Sequence, residues 1–296
     1  MNYIDRLHAA IDRCQSPAMV GLDPRLEQLP EPFKSKADQS PAKAAEAITD
    51  YHRALIDILA NEVAVIKPQS AFFERLGADG FAALADACSY AHDKGLLVLM
   101  DAKRGDIGST SEAYADTFLS GGYKNAFPYC DALTVNPFLG VDACEPFLKS
   151  AKENAAGLYF LVKTSNPGAV SFQNHGSPTL SEVIAKQVAE WGDADMGANG
   201  WSNIGAVVGA TRADELANFR TLMPNTPLLL PGFGFQGGTA DGLGCAFDDS
   251  GRGAVVNSSR GILFAHQRQD LEHMPSWEDK TAFAVSEMKA QLAAIK

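Results

Sequence analysis

Short apolar runs rich in β-branched residues recur along the chain and predict buried strands. Eight runs stand out, at residues 18–23, 63–68, 96–103, 132–137, 158–165, 204–211, 227–232 and 253–259. They are apolar almost continuously, without strict alternation of apolar and polar positions. That pattern is typical of a parallel sheet that is covered on both faces.

The segments between these runs carry apolar residues at helical spacing. Segments 42–61 and 81–94 are predicted helices, and Gly95 suits the position after the second one. Ser109 with Glu112, and Thr179 with Glu182, form capping-box patterns before predicted helices at 110–119 and 183–191. Further helices are expected at about 1–15 and 276–296.

Strand–helix alternation repeated eight times predicts the fold class α/β and, within it, a (β/α)8 TIM barrel. An open doubly wound sheet is the alternative, but the first predicted strand is not followed by a GxGxxG turn. No linker or internal repeat divides the sequence, so residues 1–296 are expected to form one domain.

Charge and cysteine content narrow the possible partners and location. The net charge of −11 argues against binding to nucleic acid or to an anionic membrane surface. Five widely spaced cysteines contain no CxxC pair, which favours free thiols in a reducing cytoplasm over disulfides or a zinc site. The sequence contains no run of about 18 apolar residues, so no membrane span is predicted. Four of the histidines, His8, His52, His92 and His273, are interpreted as residues on helix surfaces.

Polar residues follow nearly every predicted strand, and in a barrel these strand ends meet at one mouth. Two of the loops suggest a phosphate site. PGFGFQGG follows the seventh strand and includes Gly234, Gln236 and Gly237, and NSSRG follows the eighth and includes Arg260. Barrels often bind phosphate with these two loops, since glycines let backbone N–H groups approach the anion. Tight turns without any ligand remain the alternative.

The stretch MDAKRGDIGST holds a dense cluster of charges at the end of the third strand. Residues two apart share a strand face, so Asp101 and Lys103 should point the same way. Lys67, from the second strand, and Asp106 can reach the same region. Alternating charges keep lysines protonated and carboxylates ionised, which favours a proton donor over a Schiff-base lysine. A structural salt-bridge cluster is the alternative.

DAKRGDIGST resembles the D-x-K-x-x-D signature of the orotidine 5′-phosphate decarboxylase family, in the form found in its longer-chain bacterial subgroup. GLDPRL, IKPQSAFFE, TVNPFLG, KTSNPGA, LPGFGFQGG and VNSSRGILFA follow in the family's order, over roughly residues 20–265. The resemblance implies conversion of orotidine 5′-monophosphate to uridine 5′-monophosphate and CO₂, the last step of de novo pyrimidine synthesis. It implies that no metal and no organic cofactor take part.

The resemblance also implies catalytic roles for four residues. Lys103 would protonate C6 of the pyrimidine as CO₂ leaves, and Asp101 would lie near the substrate carboxylate. Lys67 would hold Asp101 and a ribose hydroxyl. Asp106 would enter the site of the neighbouring subunit, so that a homodimer with shared active sites is expected.

Substrate-binding roles follow in the same way. Asp23 would bind a ribose hydroxyl, Thr110 would reach the neighbouring site, and Ser165 would contact the pyrimidine. Gln236 and Arg260 would grip the phosphate together with the glycines of their loop. Asn136 is a further candidate for contact with the substrate.

Two alternatives remain open. The first is a Mg²⁺-dependent 3-keto-sugar-phosphate decarboxylase on the same scaffold, which should carry an additional acidic ligand near the second strand, where Glu74 is the available residue. The second is a barrel that binds nucleotides without catalysis, which would be expected to lack one of the four charged residues.

Overall fold

Eight parallel strands pair in chain order, and the last pairs with the first to close a barrel. The computed structural model describes residues 1–209, 213–232 and 242–295. The strands are β1 (Ala18–Leu22), β2 (Val65–Pro68), β3 (Leu97–Arg104), β4 (Ala132–Val135), β5 (Gly157–Lys163), β6 (Ile204–Val208), β7 (Leu228–Pro231) and β8 (Ala254–Ser258). Each lies within or close to a predicted run, so the predicted TIM barrel is confirmed.

Helices separate the strands and cover the outside of the barrel. In the described ranges they are α1 (Tyr3–Cys14), α2 (Phe33–Ala37), α3 (Pro41–Leu59), α4 (Ser70–Glu74), α5 (Gly77–Asp93), α6 (Gly108–Ala115), α7 (Val141–Glu153), α8 (Val170–Gln173), α9 (Leu180–Asp193), α10 (Ala213–Leu222), α11 (Arg260–Leu263) and α12 (Trp277–Ala293). None of the described helices is long and apolar enough to cross a membrane.

Alternate positions along each strand face opposite layers of the core. Val65, Leu99 and Ala132 pack inside the barrel, whereas their neighbours Ile66 and Val98 pack against the surrounding helices. Continuing the alternation by two residues from each interior position gives Lys67, Asp101 and Thr134, which are also buried. The interior therefore changes from apolar to polar near the carboxyl ends of the strands.

Helix α1 closes the other end of the barrel. The Asn2 side chain accepts a hydrogen bond from the backbone N–H of Asp5 and caps the helix. Tyr3 and Tyr159 meet inside the barrel with their hydroxyl oxygens 3.1 Å apart. The backbone N–H of Ile4 donates to Oδ1 of Asn203 at 2.9 Å. The helix is thus joined to the lower barrel by both apolar and polar contacts.

Two of the predicted helix boundary signals are confirmed and one is wrong. Thr179 and Glu182 form the predicted capping box, and Gly95 adopts a φ of +77° just after Lys94, the C-cap residue of α5. The Ser109–Glu112 pattern does not cap a helix. Helix α6 begins at Gly108, and its N-cap residue is Ile107, whose side chain makes no capping bond. Ser109 already lies in the first turn, so its hydroxyl cannot serve as the cap.

The interpretation of the histidines as surface residues is wrong for most of them. His8 and His52 are buried, and neither ring nitrogen of His52 has a partner among the described residues. His92 is partly buried and contacts the buried Asp131 through Nε2 at 2.9 Å. His273 is exposed but lies in a turn, not on a helix.

Candidate active site

A cavity of about 360 Å³ opens at the carboxyl ends of the strands. Its described lining has an apolar part formed by Val207 and Leu229 and a larger polar part. The polar residues include Asp23, Lys67, Gln69, Asp101, Lys103, Thr134, Ser165, Asn257, Ser259 and Arg260. Active sites of barrel enzymes lie on this face, because loops and strand ends from several units meet there.

Asp101 is the centre of the charged cluster. Its Oδ2 accepts hydrogen bonds from Nζ of Lys67 at 2.8 Å and from Nε2 of Gln69 at 2.9 Å. Its Oδ1 accepts from Nζ of Lys103 at 2.5 Å and from Oγ1 of Thr134 at 3.0 Å. Four donors therefore fix both oxygens of one buried carboxylate.

The two lysines stand in different environments. The Lys67 side chain is only 5% exposed, whereas the Lys103 side chain is 43% exposed and borders the open cavity. Lys67 is thus the enclosed structural cation of the cluster. Lys103 is the cation that a bound molecule could reach.

Electrostatic attraction outweighs burial in this cluster. Burial alone would raise the pKa of Asp101, but the positive charges of Lys67 and Lys103 hold it well below its usual range. Burial alone would lower the pKa of Lys67, but the negative charges of Asp101 and Asp23 raise it above its usual value. The Asp101–Lys67 pair therefore stays ionised around neutral pH, as opposite charges at this distance require.

Lys103 reaches Asp101 from an irregular backbone. Its φ is +47°, and the pairing of β3 with β4 shifts register between Met100 and Arg104. Regular alternation predicts that Asp101 and Lys103 point the same way, and their side chains do meet. The strand there is nevertheless bulged and not regularly extended. Bulges are common next to active sites, where they redirect a side chain.

Asp23, Ser165 and Arg260 reach the same cavity from the ends of other strands. Oδ1 of Asp23 is buried and accepts no hydrogen bond from the described residues. A buried acceptor of this kind is rarely left unsatisfied, and it lies where a ligand hydroxyl could donate to it. Arg260 brings a guanidinium to the wall at the start of α11.

Three predicted site residues do not line the cavity of this chain. Asp106 follows β3 and accepts a bond from the Ile107 backbone, Thr110 is exposed on α6, and Asn136 is exposed with its side chain bonded to the backbone of Phe138. The segments after β3 and β4 that carry them lie together, since the backbone N–H of Asn136 donates to the carbonyl of Arg104 at 2.8 Å.

Exposed apolar side chains lie in the same two adjoining segments. Ile107, Phe138 and Leu139 are 60%, 68% and 50% exposed. Large apolar side chains grouped at one edge of a mouth are typical of a surface that contacts another protein chain.

Sequence reasoning missed two side chains and named three that lie outside the described residues. Gln69 and Thr134 both bond to Asp101. Gln69 is two residues after Lys67, and this spacing indicates that both side chains face the same way. The role of Thr134 depends on how β4 aligns with β3, which the sequence around it does not show. Gly234, Gln236 and Gly237, predicted to bind phosphate, fall outside the described ranges.

Glu74, the acid that a metal-dependent enzyme could have used, is occupied by other partners. Its Oε1 accepts hydrogen bonds from Nη2 of Arg104 and from the hydroxyl of Ser70. It is absent from the described lining of the cavity. The described residues include no group of three or more His, Cys, Asp or Glu side chains arranged to hold a metal ion.

The closed parallel barrel and its charged cavity define a (β/α)8-barrel enzyme with its site at the carboxyl ends of the strands. The family described as "Orotidine 5'-phosphate decarboxylase / HUMPS family" matches residues 18–272. The chain belongs to this family.

Named relatives cover most of the chain. It is 44% identical over 299 residues to the orotidine 5′-phosphate decarboxylase of Rhodopirellula baltica, with 99% of both chains covered. It is 43% identical over 247 residues to that of Deinococcus radiodurans, with 83% of both covered. The solved structure of Leishmania donovani OMP decarboxylase is 30% identical, with a TM-score of 0.74 and coverage of 100% of this chain and 98% of that one.

Proposed function

We propose that this protein converts orotidine 5′-monophosphate to uridine 5′-monophosphate and CO₂ without a metal or organic cofactor. The observation that carries the proposal is the Lys67–Asp101–Lys103 cluster at the mouth of the barrel. It occurs in a chain whose relatives, at up to 44% identity over nearly the full length, are named for this activity. The cluster supplies a fixed cation next to an ionised carboxylate, and the reaction requires both.

The reaction breaks the bond between C6 and the carboxylate carbon and leaves the electron pair on C6. Barriers that enzymes lower by roughly 8–23 kcal/mol or more need several favourable terms at once. The ammonium of Lys103 would stabilise the developing charge at C6 and then protonate it. Asp101, held ionised by its neighbours, would repel the substrate carboxylate, a repulsion that ends when neutral CO₂ forms.

Binding of the nucleotide would divide among the remaining residues of the mouth. The buried oxygen of Asp23, which accepts no bond from the described residues, suits a ribose hydroxyl, with Lys67 beside it. Ser165 suits the pyrimidine. Arg260 would take the phosphate with a bidentate contact. Gln236, Gly234 and Gly237 would complete that grip from the loop after β7. Phosphate binding far from C6 can contribute energy to the step at C6.

A homodimer would complete each site. Asp106 and Thr110 do not line their own cavity but stand beside the exposed apolar side chains of Ile107, Phe138 and Leu139. Covering that surface with a second copy would carry Asp106 and Thr110 toward the partner's mouth. Asn136, on the adjoining loop, would contact the substrate or the partner from the same edge.

Three broader expectations accompany this function. The DAKRGDIGST motif supports membership of the longer-chain bacterial subgroup. The free cysteines among the described residues suit a reducing cytoplasm. We also propose that residues 1–296 form a single domain around the barrel.

The test is decarboxylation of orotidine monophosphate in excess chelator, followed by the change in ultraviolet absorbance of the pyrimidine. The proposal expects undiminished turnover with chelator, and a Lys103→Ala variant that keeps its fold and nucleotide affinity but loses turnover by orders of magnitude. Activity that depends on added Mg²⁺ would favour the sugar-phosphate decarboxylase alternative. Nucleotide binding by the wild type without turnover would favour a binding protein.

A further inference from the structure

The bulge in β3 places three residues opposite one residue of β4. Met100 pairs with Leu133 and Arg104 pairs with Val135, so residues 101–103 all stand opposite Thr134. In a regular parallel sheet each N–H of β3 would have a backbone acceptor in one of its two neighbours, β2 or β4. At a bulge the extra residues are left unpaired and need other partners.

The hydroxyl of Thr134 supplies the missing partner. Its Oγ1 accepts a hydrogen bond from the backbone N–H of Lys103 at 2.9 Å and donates to Oδ1 of Asp101 at 3.0 Å. The carbonyl of Met100, at 3.4 Å, is a more distant alternative acceptor. Thr134 is only 1% exposed. One buried hydroxyl thus joins the backbone of Lys103 to the carboxylate that its ammonium contacts.

This connection matters because the Lys103 backbone is strained. A φ of +47° is uncommon for a residue other than glycine, and such conformations persist only when surrounding contacts hold them. Without the Thr134 hydroxyl, the N–H of Lys103 would lose the acceptor that helps to fix this conformation. The ammonium of Lys103 would then sample positions away from Oδ1 of Asp101.

We propose that Thr134 is a positioning residue for the reaction, which holds Lys103 and Asp101 in the geometry needed for proton transfer to C6. The inference rests on the proposed function. In the step concerned, the bond from C6 to the carboxylate breaks, its electron pair stays on C6, and Lys103 gives that carbon a proton. Lys103 is left as a neutral amine and regains a proton from water.

Three substitutions separate the hydroxyl from the shape of the side chain. Thr134→Val keeps the branched shape and removes both hydrogen bonds, whereas Thr134→Ser keeps the hydroxyl and removes the methyl group. Thr134→Cys places a weak donor and acceptor at the same position. It provides an intermediate if the valine variant does not fold.

The measurements are kcat and KM for orotidine monophosphate, the unfolding midpoint in urea, and the rate at which enzyme in D₂O exchanges the C6 hydrogen of uridine monophosphate, followed by NMR. Exchange at C6 requires proton transfer between that carbon and Lys103 but does not involve CO₂, so its rate reports the position of Lys103. If Thr134 served stability alone, the exchange rate of the folded enzyme would not change. We expect Thr134→Val to lower kcat and C6 exchange together by about 10–100-fold, with KM changed less than about threefold. Thr134→Ser should stay within about threefold of the wild type, and Thr134→Cys should fall between them.

The inference is overturned if the valine variant turns over like the wild type, or if its loss lies in KM alone. It also fails if serine loses as much as valine, because the methyl group would then be the important part. If valine does not fold, a cysteine variant that matches serine in both rates overturns it. Failure of the proposed function is a separate result, since the wild type itself would then not decarboxylate the substrate.

Discussion

Removing the charge of Asp101 should destabilise the protein because the buried Lys67 would lose its main counter-charge. Lys67 is 4% exposed, and the negative charge of Asp101 is the first of the attractions that raise its pKa against burial. In an Asp101→Asn variant that ammonium would remain enclosed with its main counter-charge gone. Leaving one partner of a buried ion pair in place costs about 3–5 kcal/mol.

The same cluster supplies the contrasting case. The Lys103 side chain is 43% exposed, and water can solvate it when its partner is changed. A Lys103→Met variant leaves Asp101 with its bonds from Lys67, Gln69 and Thr134, so no buried charge loses all its partners and the loss should be about 0–1 kcal/mol. Removing the charge of Asp101 should therefore cost several times more stability than removing the charge of Lys103.

A double-mutant cycle in urea tests the argument. The free energy of unfolding is measured by tryptophan fluorescence for Asp101→Asn, Lys67→Met and the double variant, at one protein concentration. The double variant lacks both charges of the buried pair, so its loss should be smaller than the sum of the single losses by about 2 kcal/mol or more. An Asp101→Asn variant as stable as the wild type, or additive losses, would refute the reasoning.

Further predictions concern the dimer, acid stability and loop anchoring. Mixing inactive Lys103→Ala and Asp106→Ala chains should restore about a quarter of wild-type activity. Half of the dimers are then mixed, and one of the two sites in each mixed dimer is intact. No recovery after subunit exchange would contradict a shared site. Burial lowers the pKa of His52 to about 3, below the value of about 6.5 for an unfolded chain, so between these values only the unfolded state binds the proton. The stability that neutral His52 contributes is fully present above pH 6.5 and is lost as the pH falls, by about 1.4 kcal/mol per pH unit. Urea titrations from about pH 6 to 4 should therefore show a flatter dependence of the free energy of unfolding on pH for His52→Leu. The exposed control His273→Gln should not flatten it. Arg220 donates to four backbone carbonyl oxygens at 2.8–2.9 Å. Arg220→Lys should therefore lower the free energy of unfolding by about 2–3 kcal/mol, and a loss below about 0.5 kcal/mol would contradict this.

The barrel could be predicted from sequence because each strand must be apolar on both faces. The alternation also predicts that Lys67 and Asp101, two residues beyond interior positions, face the barrel axis. The burial of His52 was accessible in the same way, since it lies four residues after Ile48 and three before Leu55 on the buried face of α3. The polarity of His52 suggested an exposed side chain, but its position on the apolar face of the helix determines that it is buried.

The bulge opposite Thr134 could not be predicted, because it depends on how β3 and β4 align. Nothing within DAKRG fixes which residue of β4 faces Lys103, and Thr134 by itself resembles any threonine in a strand. The Ser109–Glu112 pattern failed for a related reason. A capping box is a local signal, and the turn after the bulge sets where α6 begins.

The closure of the lower barrel by α1 has a practical consequence for attaching the protein to other molecules. Residues of α1 and the end of α12 border a common hollow, which includes Ile11, Gln15 and Leu292, on the side away from the mouth. The carboxyl end of α1 and the end of α12 therefore lie on the face opposite the mouth. A surface tether attached at the exposed Gln15 would hold the barrel from behind, and immobilised molecules would present the open ends of their cavities to the solution.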